Sequence, residues 1–124
     1  MNKFYLIRHG QKMAIPFDPP LTTKGTRQAE ATAEHLKNTH FHEVLSSPKL
    51  RTIQTSEIIA KALALSISVD ERLIERLEWE DTERFDEFMK AWNKTDIDRK
   101  YLPKNGVSSK ANGERMKQLL DELS

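Results

Sequence analysis

Apolar and polar positions along the chain change repeatedly between the spacing of a strand and the spacing of a helix. Three short apolar runs predict strands, at residues 4–7, 41–47 and 65–70. Segments in which apolar residues recur every three or four positions follow these runs. This alternation favours an α/β fold in which helices cover both faces of a mostly parallel sheet.

The predicted helices begin at recognisable capping residues. Thr22 or Thr23 can cap a first helix that runs to about Asn38. The second helix is predicted to open at Ser47-Pro48, because proline at the first helical position needs no hydrogen bond for its nitrogen. Ser108 or Ser109 begins the last predicted helix, after a turn at residues 103–106. We expect a further helix to direct a stripe of large residues at the core, consisting of Phe85, Phe88, Met89 and Trp92.

Composition narrows the functional classes. The 124 residues predict one domain, and 20 lysines and arginines nearly balance 19 acidic residues. That balance argues against a nucleic-acid or membrane partner. The absence of cysteine excludes a disulfide framework and a thiolate nucleophile. With no long apolar stretch and no secretion pattern at the start, we expect a cytoplasmic protein.

The first candidate functional residues stand directly after the first apolar run. Arg8, His9 and Gly10 follow that run directly. An arginine needs an anionic partner wherever it loses water, and a histidine can attack an electrophile near neutral pH. Glycine allows a tight turn or a close approach of another group. The three residues together predict an anion site at the end of a strand.

Two further segments are predicted to reach the same edge of the sheet. Ser47 ends the second predicted strand, and Arg51 lies one turn into the helix that follows, where a helix N-terminus favours anions. Glu75 follows the third predicted strand. Since ligands of open α/β sheets bind beyond the carboxyl ends of the strands, we expect Arg51 and Glu75 to approach His9.

The other histidines carry a weaker signal. His40 and His42 share one face of the second predicted strand, as two ligands of a metal would. No third ligand is evident in the sequence beside them, so we interpret them as partly exposed strand residues. His35 is interpreted as a residue of a helix surface.

Several ordered motifs resemble those of the histidine phosphatase superfamily, which includes the cofactor-dependent phosphoglycerate mutases. The resemblance covers residues 3–123 and is carried by FYLIRHGQ, PPLTTKGTRQAE, VLSSPKLRTIQTSEIIA and DERLIERLEWED. Several motifs in the right order are far more specific than one motif alone.

The resemblance implies a mechanism. His9 would be the nucleophile that forms a phosphohistidine, and Glu75 would be the proton donor. Arg8, Arg51 and Gln11 would bind the phosphoryl group, whose charge the arginines offset, so that neither a metal nor a cofactor is implied. The substrate would be a small phosphorylated molecule or a phosphoprotein.

The resemblance also implies a missing part. Family members carry a second active-site histidine on a strand that follows the last helix seen here, and this sequence stops at Ser124. We therefore expect a domain, residues 1–124, that is incomplete at its C-terminus. A fragment of a longer enzyme is the first explanation; a short form that borrows a strand, and a degenerate phosphate-binding module, are the others. An uncovered edge beside the first strand would favour a homodimer.

The predicted function is hydrolysis of a phosphomonoester. Hydrolysis is preferred to mutase chemistry because the loop at residues 11–20 is short, and a mutase must enclose its substrate between two phosphorylated states. The alternatives are a phosphoglycerate mutase-like isomerase and a non-catalytic phosphate-binding or interaction protein.

Overall fold

The computed structural model describes residues 2–77, 79, 84–103 and 106–124. Helices and strands occur in the order α1 (Thr23–Leu36), β1 (Val44–Ser46), α2 (Leu50–Ala62), β2 (Ile67–Val69), a short 3-10 helix (Glu71–Leu73), α3 (Phe85–Ile97) and α4 (Ser109–Leu123). Their contacts form two compact units. One unit is Tyr5–Ile74, and the other is Glu75–Ser124 together with the residues before Tyr5.

The unit Tyr5–Ile74 contains a parallel β–α–β arrangement. β1 pairs with β2, so that Val44 lies opposite Ile67 and Ser46 lies opposite Val69. α2 connects the two strands and packs against both of them, and α1 packs against α2. The predicted α/β class with a parallel sheet is confirmed.

The core of this unit lies between the helices. Ala33, Leu36 and Ile59 are buried together, and Phe41, Ile58 and Leu63 pack around them. Full burial of a leucine or isoleucine side chain contributes about 1.5–3 kcal/mol. The apolar positions of α1 and α2 therefore hold the two helices against each other.

The beginning of α1 agrees with the sequence, and the beginning of α2 does not. The Thr22 hydroxyl accepts a hydrogen bond from the N–H of Gly25 at 3.0 Å, as expected of an N-cap. The prediction that α2 opens at Ser47-Pro48 is wrong, since the first helical residue is Leu50 and Lys49 is extended. The N–H of Leu50 is capped by the carboxylate of Asp18, which is distant in sequence, so the helix can begin there without a local capping side chain.

The prediction of a strand at residues 4–7 is also wrong. These residues have no regular secondary structure, and the Leu6 side chain is 79% exposed. A strand exists only through hydrogen bonds to a neighbouring strand. In the described part of the chain, β1 and β2 pair with each other and neither pairs with residues 4–7. An edge-to-face contact between Tyr5 and Phe41, with ring centroids 5.0 Å apart, holds this segment.

The unit formed by Glu75–Ser124 is built on α3 and α4. Its buried positions include Leu77, Thr95 and Leu119. The aromatic stripe of α3 is only partly turned inward, because Phe85 is 56% exposed while Phe88 and Trp92 are partly buried. A cluster of ring contacts joins Trp79, Phe85, Phe88 and Trp92. The predicted turn at residues 103–106 falls partly outside the described residues.

Among the described residues, no helix combines the length and the apolar character that crossing a membrane requires.

Candidate active site

The loop that follows residue 7 brings His9 to the N-terminal turn of α2. Nε of Arg51 lies 3.2 Å from Nε2 of His9, and Nδ1 of His9 lies 2.6 Å from the carbonyl oxygen of Gly10. Arg51 is buried, with 3% of its surface exposed, and His9 is partly buried. The structure thus brings together the two residues that the sequence predicted as nucleophile and phosphate ligand.

Two glycines allow the His9 loop to lie against the start of α1. A Cβ atom on Gly10 would lie 2.3 Å from the carbonyl oxygen of Gly25, and a Cβ on Gly25 would lie 2.0 Å from the carbonyl oxygen of Gln11. Both distances are far below any contact that real side chains make, and both obstacles are backbone atoms. Only glycine fits at these two positions.

Two side chains that the sequence analysis did not select also hold this loop. The buried Thr55 hydroxyl accepts a hydrogen bond from the N–H of Gly10 at 3.1 Å, and Oε1 of Gln28 accepts one from the N–H of Gln11 at 2.8 Å. Thr55 and Gln28 both fall within the motifs that carry the family resemblance. That position in the motifs is the signal that could have identified them.

The remaining phosphate ligands predicted from the sequence lie on the same loop. Arg8 and Gln11 flank the His9–Gly10 pair and are both exposed. The side-chain oxygen Oε1 of Gln11 accepts a hydrogen bond from the Thr22 hydroxyl at 2.9 Å. Gln11 therefore also supports the cap of α1.

Glu75 lies in the other compact unit and is exposed. The residue after it is firmly held: Nε of Arg76 donates to the Thr95 hydroxyl at 2.8 Å, and its guanidinium lies over the Trp92 ring at 4.1 Å. An ion pair with Asp96 adds to these contacts. Arg76 was not selected from the sequence, and it fixes the backbone directly beside the predicted proton donor.

The loop between His9 and α1 is tied down at several points. An isolated antiparallel β-bridge joins the backbones of Lys12 and Leu21. Oε1 of Gln54 accepts a hydrogen bond from the N–H of Leu21 at 2.8 Å. At its tip, Phe17 has a positive φ of 71° and a 57% exposed side chain. Asp18 reaches the N-terminus of α2, where Oδ1 accepts from the N–H of Leu50 at 2.8 Å.

A second charged contact follows β2. The carboxylate of Asp70 accepts hydrogen bonds from the side chain of Arg72 at 2.7 and 3.0 Å, and from its backbone N–H at 2.9 Å. The side-chain bond, followed by the backbone bond, lowers the pKa of Asp70 from 3.8 to about 2. These bonds hold the chain where it leaves the carboxyl end of β2.

The other histidines belong to other segments of the unit Tyr5–Ile74. His40 and His42 are exposed and make an edge-to-face ring contact, with centroids 4.8 Å apart. They precede β1 instead of lying in it. Within the described ranges, no three histidine, aspartate or glutamate side chains group as ligands of a metal ion. His35 is exposed on α1, as predicted.

Known proteins are similar to this chain in sequence and in fold. Residues 4–124 match the family model described as histidine phosphatase superfamily (branch 1). The chain is 36% identical over 109 residues to the probable phosphoglycerate mutase GpmB of Proteus mirabilis (strain HI4320), covering 79% of this chain and 51% of that protein. It is 38% identical over 82 residues to the protein of the same name from Yersinia pestis (strain Pestoides F), covering 60% of this chain and 38% of that protein.

Solved structures of phosphatases superpose on this chain. A mycobacterial glucosyl-3-phosphoglycerate phosphatase superposes with a TM-score of 0.78 at 25% identity, over 93% of this chain and 60% of the other. The alpha-ribazole phosphatase from Shigella flexneri superposes with a TM-score of 0.75 over 94% of this chain and 64% of the other, and its 24% identity shows the fold alone. The chain spans about half the length, or less, of the curated relatives it matches.

Proposed function

The chain belongs to the histidine phosphatase superfamily, and on that premise we propose that it hydrolyses phosphomonoesters through a phosphohistidine formed on Nε2 of His9. The observation that carries this proposal is the placement of His9. Nδ1 meets the carbonyl of Gly10, and Nε2 meets the guanidinium of Arg51. The proposed nucleophile and the proposed phosphate-binding cation therefore lie in direct contact.

The first chemical step forms a bond between Nε2 and phosphorus while the bond from phosphorus to the leaving oxygen breaks. Arg51 would turn its donors from Nε2 to the phosphoryl oxygens as the substrate binds, and Arg8 and Gln11, on the same loop, would complete the anion site. Fixed cations are most effective where the transition state spreads charge over these oxygens. The burial of Arg51 supports this role, since low exposure strengthens its field.

The second step returns the enzyme to its starting state. Glu75 would give its proton to the leaving alkoxide in the first step and take one from the attacking water in the second. Water oxygen then bonds to phosphorus, the bond to Nε2 breaks, and inorganic phosphate leaves. The fixed neighbour Arg76 supports this assignment, because it restrains the backbone from which Glu75 projects.

Two names among the similar proteins bear on the substrate. Both the mutase of Proteus mirabilis and the mycobacterial phosphatase carry phosphoglycerate in their names. A phosphorylated small acid of that kind is therefore the first candidate substrate, ahead of phosphoproteins. The name of the Proteus mirabilis relative also favours a mutase as the second candidate function.

The decisive experiment is a phosphoenzyme assay on the 124-residue chain. The protein is mixed with 4-nitrophenyl phosphate, quenched in base, and examined by mass spectrometry for one acid-labile phosphoryl group. We expect a label in the wild type and in His35→Ala, and none in His9→Ala. A label that survives His9→Ala contradicts the proposal. An absent label in a chain with normal circular dichroism favours the non-catalytic phosphate-binding alternative.

Arginine variants and product analysis refine the result. Arg51→Lys should slow labelling roughly a hundredfold, as loss of a transition-state donor does, while Arg27→Lys on the exposed side of α1 should leave it unchanged. With 3-phosphoglycerate as substrate, release of inorganic phosphate indicates the hydrolase. Formation of 2-phosphoglycerate indicates the mutase.

A further inference from the structure

We propose that Thr55 and Gln28 are positioning residues that hold the peptide groups on either side of Gly10 and thereby keep the hydrogen of the His9 imidazole on Nδ1. The inference rests on the proposed role of His9 as nucleophile and adds the means by which its reactive nitrogen is kept available. Neither Thr55 nor Gln28 would contact the phosphoryl group.

The hydrogen bonds of His9 to Arg51 and to Gly10 agree on one tautomer. Nε of Arg51 carries a hydrogen and can only donate, so Nε2 of His9 must accept at 3.2 Å. The carbonyl oxygen of Gly10 can only accept, so Nδ1 must donate at 2.6 Å. The hydrogen of the neutral ring is therefore on Nδ1, and the lone pair is on Nε2. In the other tautomer, two donors would face each other between His9 and Arg51.

Thr55 fixes the peptide group before Gly10. Its hydroxyl donates to the carbonyl oxygen of Arg51 at 2.8 Å and accepts from the N–H of Gly10 at 3.1 Å. Thr55 is buried, with 4% of its surface exposed. Because the single hydroxyl hydrogen goes to Arg51, a lone pair faces Gly10. One side chain thus ties the His9 loop to the helical turn that carries Arg51.

Gln28 fixes the peptide group after Gly10. The carbonyl of Gly10 and the N–H of Gln11 belong to the same planar peptide group. Oε1 of Gln28 accepts from that N–H at 2.8 Å, so the glutamine sets the direction of the carbonyl that binds Nδ1 of His9. Gln28 stands on α1, one turn after Gly25, whose backbone closely approaches Gln11.

For catalysis, the consequence is that most of the His9 ring is in the Nδ1–H tautomer, which is the form that can attack phosphorus. Attack on phosphorus needs the lone pair of Nε2, and the hydrogen bond at the other ring nitrogen decides where that lone pair is. If Thr55 or Gln28 loses its acceptor, the Gly10 carbonyl is free to turn and Nδ1 loses its partner. The proportion of ring with its hydrogen on Nε2 then rises. The rate of phosphohistidine formation falls, while the affinity for phosphate changes little.

The test reads the tautomer directly, in the substrate-free 124-residue chain. The protein is labelled with ¹⁵N-histidine, and the ring nitrogen shifts of His9 are assigned by comparison with His9→Gln. We expect the Nδ1–H tautomer in the wild type and in Thr55→Ser, which keeps the hydroxyl. We expect a shift of His9 toward the Nε2–H tautomer in Thr55→Val and in Gln28→Met.

Matched controls separate the proposed contact from general effects of substitution. Thr32 on α1 donates to the carbonyl of Gln28 at 3.1 Å, just as Thr55 donates to Arg51, but the structure gives its hydroxyl no bond to Gly10. Thr32→Val should leave the His9 shifts unchanged, as should Gln118→Met on the exposed side of α4. If Thr55→Val fails to fold, the exposed Gln28→Met carries the test.

The outcomes are distinct from those of the phosphoenzyme assay. An Nε2–H tautomer in the wild type overturns the inference, and so do unchanged shifts in Gln28→Met. In the assay, we expect Gln28→Met and Thr55→Val to slow labelling about tenfold, the lower end of what partners of metal-bound histidines contribute. Phosphate affinity, from a titration with inorganic phosphate, should stay within about twofold because neither side chain is an anion ligand. A wild type that is never labelled contradicts the hydrolase and leaves the tautomer result standing.

Discussion

The carboxylate of Asp18 caps the helix that begins at Leu50. Oδ1 of Asp18 accepts from the N–H of Leu50 at 2.8 Å, across 32 positions of sequence. The preceding residue, Lys49, supplies no side-chain cap of its own. A negative charge at this point also suits the positive end of the helix dipole. This contact therefore adds to the hydrogen bond between Leu21 and Gln54 in coupling the loop after His9 to the helix that carries Arg51.

Removal of that cap should destabilise the fold. Asp18→Ala is expected to lower the free energy of unfolding by about 1 kcal/mol, the usual contribution of a helix N-cap. Urea denaturation followed by circular dichroism measures it. Asp121→Ala is the matched control, because Asp121 forms a solvent-exposed ion pair with Lys117, and the change should cost less than about 0.5 kcal/mol. Equal effects of the two changes would argue against the cap.

Alanine should have opposite effects on stability at Gly25, which lies against the His9 loop, and at Gly113, which has open space around it. Gly25→Ala would place a Cβ 2.0 Å from the carbonyl oxygen of Gln11, and the resulting overpacking should cost about 1–3 kcal/mol. Gly113→Ala, within α4, meets nothing within 4 Å and should stabilise by about 0.5–1 kcal/mol. Thermal unfolding of both variants tests the pair. A neutral Gly25→Ala would show that the loop does not lie against α1.

Exposure of residues 4–7 can be tested with two leucines. Leu6 is 79% exposed and Leu36 is 6% exposed. Leu6→Ala should change the free energy of unfolding by less than about 0.5 kcal/mol. Leu36→Ala should lower it by about 2–5 kcal/mol, since it leaves a cavity in the core. Similar losses in the two variants would mean that residues 4–7 form a buried strand in solution.

The Asp70–Arg72 contact should make stability depend on pH. The pKa of Asp70 is lowered from 3.8 to about 2, so the Asp70 carboxylate binds a proton less readily in the folded chain than in the unfolded chain. The contribution is therefore fully present above about pH 4 and is lost as the pH falls toward 2. The stability difference between the wild type and Asp70→Asn should shrink over that range. Urea denaturation from neutral pH down to about pH 3 measures it, and a constant difference would contradict the assignment.

Local chemistry explains what was predictable. The caps of α1 and α4 lie at Thr22 and Ser108, as the sequence indicated, because an N-cap bonds to a residue only three positions ahead. The apolar faces of α1 and α2 follow from helical spacing in the same way. His9 and Arg51 were selected because their chemistry and the surrounding motifs are visible in the sequence.

Distant contacts explain what was not predictable. The strand expected at residues 4–7 is absent because a strand depends on a partner elsewhere in the chain. The helix α2 was predicted to begin at Ser47-Pro48, but it begins at Leu50, whose N–H is bound by the carboxylate of Asp18. Thr55 was not selected because its hydroxyl meets Gly10 across 45 positions. The position of Glu75 relative to His9 stays a prediction.

The sequence by itself determined the family, the α/β class and the starts of α1 and α4, and it singled out His9 and Arg51, which the structure brings into contact. The tertiary structure decided which groups each ring nitrogen of His9 contacts and which side chains bond the peptide groups beside Gly10. The physical reason is that hydrogen bonds between distant residues depend on how α1 and α2 pack around the loop. Short-range spacing sets the apolar faces of those helices, but only their packing brings Gln28 and Thr55 to the two sides of Gly10.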